Sequence, residues 1–196
     1  MWMGCKNRSA MKIGLISDTH LPAMGQEPPA EVARALAGVE LILHAGDIYS
    51  SACLDWLELI APVIAVEMAP APVIGDHRVT ERRVIPVHGY RIGLVHDLAI
   101  AGVDEVVPGA IAASIAAGRA PALAARLEGF FGEPVDTVVF GHTHVPLVET
   151  HQGILFVNPG SPTLPRQLRK LGTVAILDLA PGGREARIVD LAAHRG

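Results

Sequence analysis

Short apolar runs alternate with stretches of helical spacing over the first third of the chain. Three of these runs have the length of β-strands: residues 11–18, 40–47 and 62–66. Residues 28–37 have helical spacing, and a second helix begins at Ser50 or Ser51, either of which can cap it, and runs to about residue 60. The order strand–helix–strand–helix–strand predicts an α/β sheet with crossover helices.

The second half of the chain is richer in strands. Residues 82–97 have the pattern of a hairpin, and residues 108–131 are alanine-rich and mostly helical. Five further runs are strand-like: residues 136–140, 147–150, 154–157, 173–179 and 186–191. The whole pattern predicts one two-layered or sandwich-like α/β domain over residues 11–196. Residues 1–10 read as a flexible tail, or as a misplaced start ahead of Met11.

Composition narrows the class of protein. Half of the 196 residues are hydrophobic and 18% are charged, so the chain can bury a core. The net charge of −4 argues against general nucleic-acid binding, which needs a basic surplus. The two cysteines are too few for a disulfide scaffold. Because no membrane span or signal peptide is visible, we expect a cytoplasmic protein, with a homo-oligomer left open.

Polar side chains follow several of the predicted strands at the point where each strand ends. They comprise two carboxylates and four imidazoles: Asp18, His20, Asp47, His96, His142 and His144. Ligands bind at the carboxyl ends of strands in open α/β sheets, and residues two apart in an extended segment point the same way. Asp18 with His20 can therefore offer two side chains to one site, and so can His142 with His144.

A set of this kind is too hydrophilic to be buried without compensation, which one or two divalent cations would supply. Mixed histidine and aspartate ligation suits Mn, Fe, Zn, Ni or Co better than Ca or Mg. Two ions about 3.5–4 Å apart can clamp a phosphate during phosphoester hydrolysis. One carboxylate would then bridge them, and we assign that role to Asp47. Gly46 and Gly141 would let the backbone come close to the ions.

Five motifs run in order along most of the chain: SDTH at 17–20, HAGD at 44–47, LVH at 94–96, FGHTHVP at 140–146 and VNPGSP at 157–162. In these motifs the sequence resembles the calcineurin-like metallophosphoesterases, in their small bacterial and archaeal phosphodiesterase branch. The resemblance implies an α/β fold of the four-layer α+β type, a β-sandwich of two mixed sheets flanked by helices. It also implies a phosphodiesterase or phosphatase that acts on a phosphoester small molecule.

The same resemblance implies how the ligands are divided. Asp18, His20 and His144 would hold one ion, and His96 and His142 would hold the other. Asp47 would bridge the two, and a metal-bound hydroxide would attack phosphorus. The expected cofactor is a pair of divalent ions, with manganese preferred and Fe, Zn, Ni or Co as alternatives.

The stretch after the third strand departs from the family. Relatives carry Gly-Asn there, then His, Cys or Asn, then Asp; the Asn binds the second ion, and in many members the following His helps to protonate the leaving group. This chain reads Val-Glu-Met-Ala-Pro at residues 66–70, which leaves the general acid unassigned. A replacement ligand could come from Glu67, from Asp76 or His77, or from water. Asp97, where relatives usually have Gly, is expected to support a ligand histidine or to cap the next segment.

The missing Asn leaves two further interpretations open. Relatives in the retromer sorting complex share the fold, have lost catalytic groups and work through protein contacts. A catalytically impaired binding or scaffold protein is therefore the alternative function. Between the two lies a site in which only one ion is tightly held.

Candidate substrate contacts lie in the last motif and just beyond it. Residues 158–161 form a tight loop whose backbone amides, with Ser161 and Arg166, would face a substrate phosphate, although turn chemistry alone also explains such a loop. Residues 165–170 add positive charge, which either attracts an anionic substrate or forms a solvated surface. We expect His44 to orient or pack against the site rather than to bind metal.

Overall fold

Two mixed β-sheets packed against each other form the centre of the protein. The structure, a computed structural model, describes residues 10–71, 73, 75–103 and 105–195. The strands are Met11–Ile16 (β1), Leu41–His44 (β2), Val63–Val66 (β3), Val79–Thr80 (β4), Arg82–Val87 (β5), Tyr90–Val95 (β6), Thr137–Val139 (β7), Leu147–His151 (β8), Ile154–Asn158 (β9), Thr173–Ala180 (β10) and Gly183–Asp190 (β11). The α-helices are Ala30–Ala35 (α1), Ser51–Glu58 (α2), Ala110–Ala116 (α3) and Leu123–Phe131 (α4).

The first sheet has the strand order β11-β10-β1-β2-β3-β4. Strands β1 to β4 run parallel, and β10 pairs antiparallel with β1 and β11. Helices α1 and α2 connect the parallel strands and cover the outer face, where Val32 and Leu54 pack with Ile42. Ile13 and Leu15 lie in the core shared with the other sheet, because side chains alternate across a strand.

The second sheet has the strand order β5-β6-β7-β9-β8. Its three central strands run parallel, and each edge strand pairs antiparallel with its neighbour. On its outer face, Leu127 of α4 packs in a cluster with Val138 and Phe156. On its inner face, Leu94 and Val157 belong to the core between the sheets. This arrangement confirms the predicted α/β sandwich of two mixed sheets flanked by helices.

One strand was missed, and the bounds of two other elements were wrong. Strand β4 was not predicted, because two residues are too few to show a periodic pattern. The helix expected at 28–37 is confined to Ala30–Ala35. The last strand begins at Gly183 rather than at residue 186, since Ala180 pairs with Gly183 and the hairpin needs only a two-residue turn.

The predicted tail lies outside the described residues except for Ala10, and both the tail and a single domain over residues 11–196 stay predictions. Across the described part of the chain, none of the helices has the length and apolarity needed to cross a bilayer.

The parallel strands of both sheets deliver their carboxyl ends to the same region. Loops after β1, β2 and β3 come from the first sheet, and loops after β6 and β7 come from the second. The backbone N–H of His142, after β7, donates to Oδ1 of Asp18, after β1, at 3.1 Å. The site described below is therefore built across the junction of the two sheets.

Gly93 of β6 allows α4 to lie against the second sheet. A Cβ atom at Gly93 would lie 2.7 Å from Cζ of Phe131, closer than van der Waals contact allows. We expect Gly93→Ala to lower the free energy of unfolding by about 1–3 kcal/mol, the usual cost of overpacking. Urea denaturation measures this change.

Gly129 provides the control, because it lies within α4 and a Cβ there would meet nothing within 4 Å. Gly129→Ala should raise stability by up to about 1 kcal/mol through helix propensity. Equal effects of the two substitutions would contradict the close packing at Gly93.

Candidate metal centre

Four side chains from the strand-end loops meet in one cluster. Each offers one ligand atom, and these atoms all lie within 4.8 Å of one another: Asp18, His20, Asp47 and His144. The first two follow β1, Asp47 follows β2 and His144 follows β7. The cluster thus contains all three residues that were expected to hold the first ion, together with Asp47, the expected bridging carboxylate.

The nitrogen and oxygen atoms of this cluster lie close enough to interact directly. Nε2 of His20 lies 3.0 Å from Nε2 of His144 and 3.4 Å from Oδ2 of Asp47. Nε2 of His144 lies 3.4 Å from Oδ1 of Asp18. Two ring nitrogens and two carboxylates thus face a common point.

The electrostatics of the cluster favour a cation. Burial raises the pKa of Asp18 well above its ordinary value; the Ser17 hydroxyl lowers it, and the charges of Asp47 and Glu67 raise it further. Burial also lowers the pKa of His20 and His144, which keeps lone pairs on their rings. A buried carboxylate crowded by negative charge and two neutral imidazoles fit a divalent ion, and nitrogen with oxygen donors suits Mn, Fe, Zn, Co or Ni.

His96 and His142 lie on the other side of Asp47. Oδ2 of Asp47 faces His20, whereas Oδ1 lies 3.7 Å from Nε2 of His96. The rings of His96 and His142 meet edge to face with centroids 5.4 Å apart. The structure therefore brings all six predicted ligands to one region with Asp47 in the middle. Their roles as ligands stay predictions.

Five of the six predicted ligands have a left-handed backbone. Their φ angles lie between 52° and 71°: Asp18, His20, Asp47, His142 and His144. Non-glycine residues rarely adopt this conformation, and such strain persists only where surrounding contacts hold it, often at functional sites. The segments after β1, β2 and β7 therefore turn sharply, which directs their polar side chains toward the site.

Backbone carbonyls orient two of the histidines. Nδ1 of His96 lies 2.8 Å from the carbonyl of Ala45, and Nδ1 of His144 lies 2.8 Å from that of Leu164. A carbonyl only accepts hydrogen bonds, so each Nδ1 carries the proton. Each Nε2 is then left with a lone pair directed at the cluster, the usual arrangement around metal-binding histidines.

Gly46 and Gly141 were expected to let the backbone approach the ions. In the structure, they let the backbone approach side chains of the site. A Cβ at Gly46 would lie 2.4 Å from Nδ1 of His96. A Cβ at Gly141 would lie 2.8 Å from Oδ2 of Asp18. Any larger residue at either position would therefore displace a candidate ligand.

The three candidates for a replacement ligand have different surroundings. Oε1 of Glu67 accepts from the N–H groups of Asp47 and Met68, and Oε2 accepts from that of Ile48 at 2.8 Å. Glu67 thus lies beside the cluster but is already used by the backbone.

Asp76 is hydrogen-bonded to Arg78, and His77 is exposed. The hydrogen bonds from Arg78 to Asp76, at 2.6 and 2.9 Å, lower the pKa of that carboxyl below its usual range. Arg78 also pairs with Asp55 and Glu58 of α2, so this cluster ties the loop to the helix. The side chain of His77 is 88% exposed.

The two predicted substrate contacts occupy different environments. Ser161 is buried, donates to the carbonyl of Asp18 at 2.7 Å and accepts from the N–H of Leu164 at 2.8 Å. Arg166 is exposed, and its N–H donates to the carbonyl of His144 at 3.1 Å. Ser161 thus supports the loops on which Asp18 and His144 lie. Roles in substrate binding stay predictions for both residues, as does a supporting role for the exposed Asp97.

Tyr49 was missed by the sequence analysis. Its hydroxyl donates to Oδ1 of Asp47 at 2.9 Å, and its ring lies 5.4 Å from that of His20. Burial, followed by the hydrogen bond to Asp47, raises the pKa of Tyr49 to about 12. The two-residue spacing that selected Asp18 and His20 would have selected Asp47 and Tyr49 as well.

Asn158 was also missed as a supporting residue. Its amide nitrogen donates to the carbonyl of Gly141 at 2.8 Å and to Thr143 at 3.2 Å, and its Oδ1 accepts from the N–H of Gly160 at 2.8 Å. It therefore joins the end of β9 to the histidine-bearing loop.

Two clefts open beside the cluster. The larger, of about 800 Å³, lies between residues 97–103 with 105–106 on one side and residues 140–143 on the other. The smaller, of about 400 Å³, lies between Asp47 and residues 67–71. His142 lines both clefts. A molecule held beside His142 can therefore extend into either cleft.

His44 lies beneath the cluster in a hydrogen-bonded chain. The N–H of Gly46 donates to Nδ1 of His44 at 3.2 Å, so Nε2 carries the proton and donates to Thr19, also at 3.2 Å. Thr19 donates in turn to the carbonyl of Asp47 at 3.3 Å. Burial lowers the pKa of His44 to about 3, so the ring is neutral and supports the loop that bears Asp47.

The pH dependence of stability tests this burial. Unfolded His44 gains a proton below its ordinary pKa of about 6.5, whereas the folded residue does not until about pH 3. Its contribution is thus complete above pH 6.5 and is lost as the pH falls. Between pH 7 and pH 5 the loss is about 2 kcal/mol. The free energy of unfolding is measured by urea denaturation at several pH values, with a metal chelator present. In His44→Gln, its decrease between pH 7 and pH 5 should be smaller by this amount. An unchanged decrease would contradict the buried neutral ring.

Metal binding tests the cluster itself. Asp18→Asn keeps the size of the side chain but removes a charged ligand, and we expect Mn²⁺ to bind at least about 100-fold more weakly, since even supporting residues account for 10–100-fold. Titration calorimetry measures the affinity. His77→Gln is the matched control and should bind Mn²⁺ normally. If Mn²⁺ bound normally to Asp18→Asn and more weakly only to His77→Gln, the assigned cluster would be contradicted.

Comparison with known proteins agrees with this geometry. Residues 11–182 match the calcineurin-like phosphoesterase superfamily domain. A probable metallophosphoesterase of Methanothermobacter thermautotrophicus is 36% identical over 157 residues, which is 80% of each chain. A probable metallophosphoesterase of Methanocaldococcus jannaschii is 34% identical over 156 residues, 80% of this chain and 70% of that one.

A solved structure shares the fold at lower identity. The crystal structure of a single-substitution variant of Vps29 from Entamoeba histolytica superposes with a TM-score of 0.65 at 22% identity, covering 92% of this chain and 99% of that chain. At this identity the likeness concerns the arrangement of the strands and helices. From the match over residues 11–182 and the two archaeal relatives, the chain belongs to the calcineurin-like phosphoesterase superfamily.

Proposed function

We propose that the protein is a metal-dependent phosphoesterase that acts on a phosphodiester or phosphomonoester of a small molecule. The observation that carries this proposal is the position of Asp47, whose two carboxylate oxygens face two different groups of histidines. One oxygen lies toward His20 and the other toward His96. This is the placement that a shared ligand of two cations requires.

Each candidate ligand has a distinct task in this proposal. Asp18, His20 and His144 would hold one ion, and His96 and His142 would hold the second. Divalent ions in such a pair supply Lewis acidity toward a phosphoryl oxygen and lower the pKa of water. Manganese is the preferred metal, and Fe, Zn, Ni or Co satisfy the same donors.

The remaining residues orient the ligands and the substrate. Carbonyls of Ala45 and Leu164 fix the rings of His96 and His144, and the Ser161 hydroxyl fixes the backbone of Asp18. The exposed Arg166 follows this loop and would offer positive charge to the phosphate. We place the activity in the cytoplasm, without general nucleic-acid binding.

A scaffold function is the second candidate. Residues 66–70 are Val-Glu-Met-Ala-Pro where the family resemblance implies an Asn ligand and a proton donor, and the loss of that ligand would weaken binding of the second ion. The chain shares its fold with Vps29, and the family that it resembles includes sorting-complex members that work through protein contacts. Elemental analysis separates the two: two ions per chain support the enzyme, whereas one or none with weak hydrolysis supports the scaffold.

Hydrolysis of bis(4-nitrophenyl) phosphate in the presence of Mn²⁺ tests the proposed activity. Asp47→Ala should lower kcat/KM by at least about 10²–10³-fold, the range for loss of one group that stabilises transition-state charge. Release of nitrophenolate is followed by absorbance. Asp178→Ala, which removes a half-buried carboxylate of β10 that pairs with Arg187, should leave the rate unchanged. Turnover without metal, or full activity of Asp47→Ala, would refute the proposal.

A further inference from the structure

The smaller cleft beside the cluster has an apolar wall. Only four large hydrophobic side chains of the described residues are exposed: Tyr49, Leu59, Met68 and Leu168. Two of these four, Tyr49 at 38% exposure and Met68 at 49%, line this one cleft together with His96 and His142. Residues 69–71 complete the wall with Ala-Pro-Ala. Exposed apolar groups concentrated beside polar ligands indicate a place for an apolar part of a bound molecule.

Tyr49 is held in place on its side of the cleft. Its backbone has a φ of 61°, and its hydroxyl donates to Oδ1 of Asp47 at 2.9 Å. Its ring is tilted by 51° against the ring of His20 at 5.4 Å. A ring fixed at both ends loses little freedom when a ligand packs against it.

Met68 is held by the neighbouring carboxylate. Glu67 is 1% exposed, and its Oε1 accepts from the N–H of Met68 at 3.0 Å and from that of Asp47 at 3.2 Å. Its Oε2 accepts from the N–H of Ile48 at 2.8 Å. One buried carboxylate therefore fixes the backbone of both walls, and the Met68 side chain remains free to adapt.

The chemistry of this wall selects among ligands. An aromatic ring face stacks on tyrosine, and a methionine sulfur makes favourable contacts with ring edges. None of the residues lining the cleft is a lysine or arginine, whereas Asp47 and Glu67 are acidic, so a second anionic group is disfavoured there.

Resting on the function proposed above, we propose that this cleft binds a planar aromatic group esterified to the phosphate, with Tyr49 and Met68 as its walls. The phosphate is held at the cluster while the ring enters between these two side chains. The preferred substrates are then aryl or nucleoside-type esters rather than small alkyl esters.

Two phosphonates that differ only in this group provide the test. Phenylphosphonate and methylphosphonate carry the same charge and lack a leaving group, so their affinities report binding without hydrolysis. In the Mn²⁺-loaded protein we expect phenylphosphonate to bind about tenfold more tightly, the size of one aromatic contact. Titration calorimetry measures both dissociation constants.

Variants of the walls locate the ring. Tyr49→Ser and Met68→Ser should each reduce the ratio of the two affinities to about two or less, whereas Tyr49→Phe keeps the ring and should keep most of the ratio. Leu59→Ser is the matched control, because Leu59 is 84% exposed and does not line the cleft. It should leave the ratio at about ten.

The outcomes separate this inference from the proposed function. Equal affinities in the unmodified protein, or a ratio retained in both serine variants, overturn the inference, while metal-dependent hydrolysis would leave the proposed function standing. Binding of neither phosphonate to the loaded protein overturns both. A tenfold ratio lost in the serine variants and kept in Leu59→Ser supports it.

Discussion

The crowding of negative charge around Asp18 is the constraint on which the site depends. Asp18 is fully buried, and the charges of Asp47 and Glu67 add to the cost of ionising it. Among the described residues, the only basic side chain within 4 Å of its carboxylate is that of His144, whose own pKa is lowered by burial. A carboxylate in this position would be stabilised by a cation from outside the chain, and the fold places a candidate metal-binding group around it.

The sandwich architecture turns this local requirement into a link between the sheets. Asp18 and Asp47 come from the first sheet, and His144 comes from the second. Two residues support these loops: Asn158 at the end of β9, and Ser161, which follows it. Because the cluster is assembled from both layers, its geometry depends on the packing of the whole core and not on one loop.

Much of the architecture was predictable from the sequence. Apolar runs of strand length located ten of the eleven strands, because periodic burial extends over enough residues to be visible, and β4 was missed because it spans only Val79–Thr80. The six candidate ligands were found because each follows a strand directly. Contacts between distant segments were not predictable, since nothing in the local pattern shows that Glu67 accepts from the backbone of Asp47, or that Ser161 supports Asp18.

The departure of residues 66–70 from the family pattern changes the polarity of one side of the site. The main chain still runs along the cluster, held there by Glu67, but it presents apolar side chains in place of polar ones. On the other side of His142, the larger cleft carries the exposed carboxylates of Asp97 and Glu105, whereas Asp47 and Glu67 of the smaller cleft are partly or fully buried. The two sides of the cluster thus differ in polarity, and a bound molecule would have a defined orientation.

The left-handed backbone at five candidate ligands has a consequence for the stability of the protein. Such conformations are unfavourable by about 1 kcal/mol or more for most residues and cost glycine nothing. Glycine at these positions would relieve the unfavourable backbone conformation, but it would also remove the candidate ligands. Local backbone stability and the candidate site therefore place opposite demands on the same five residues.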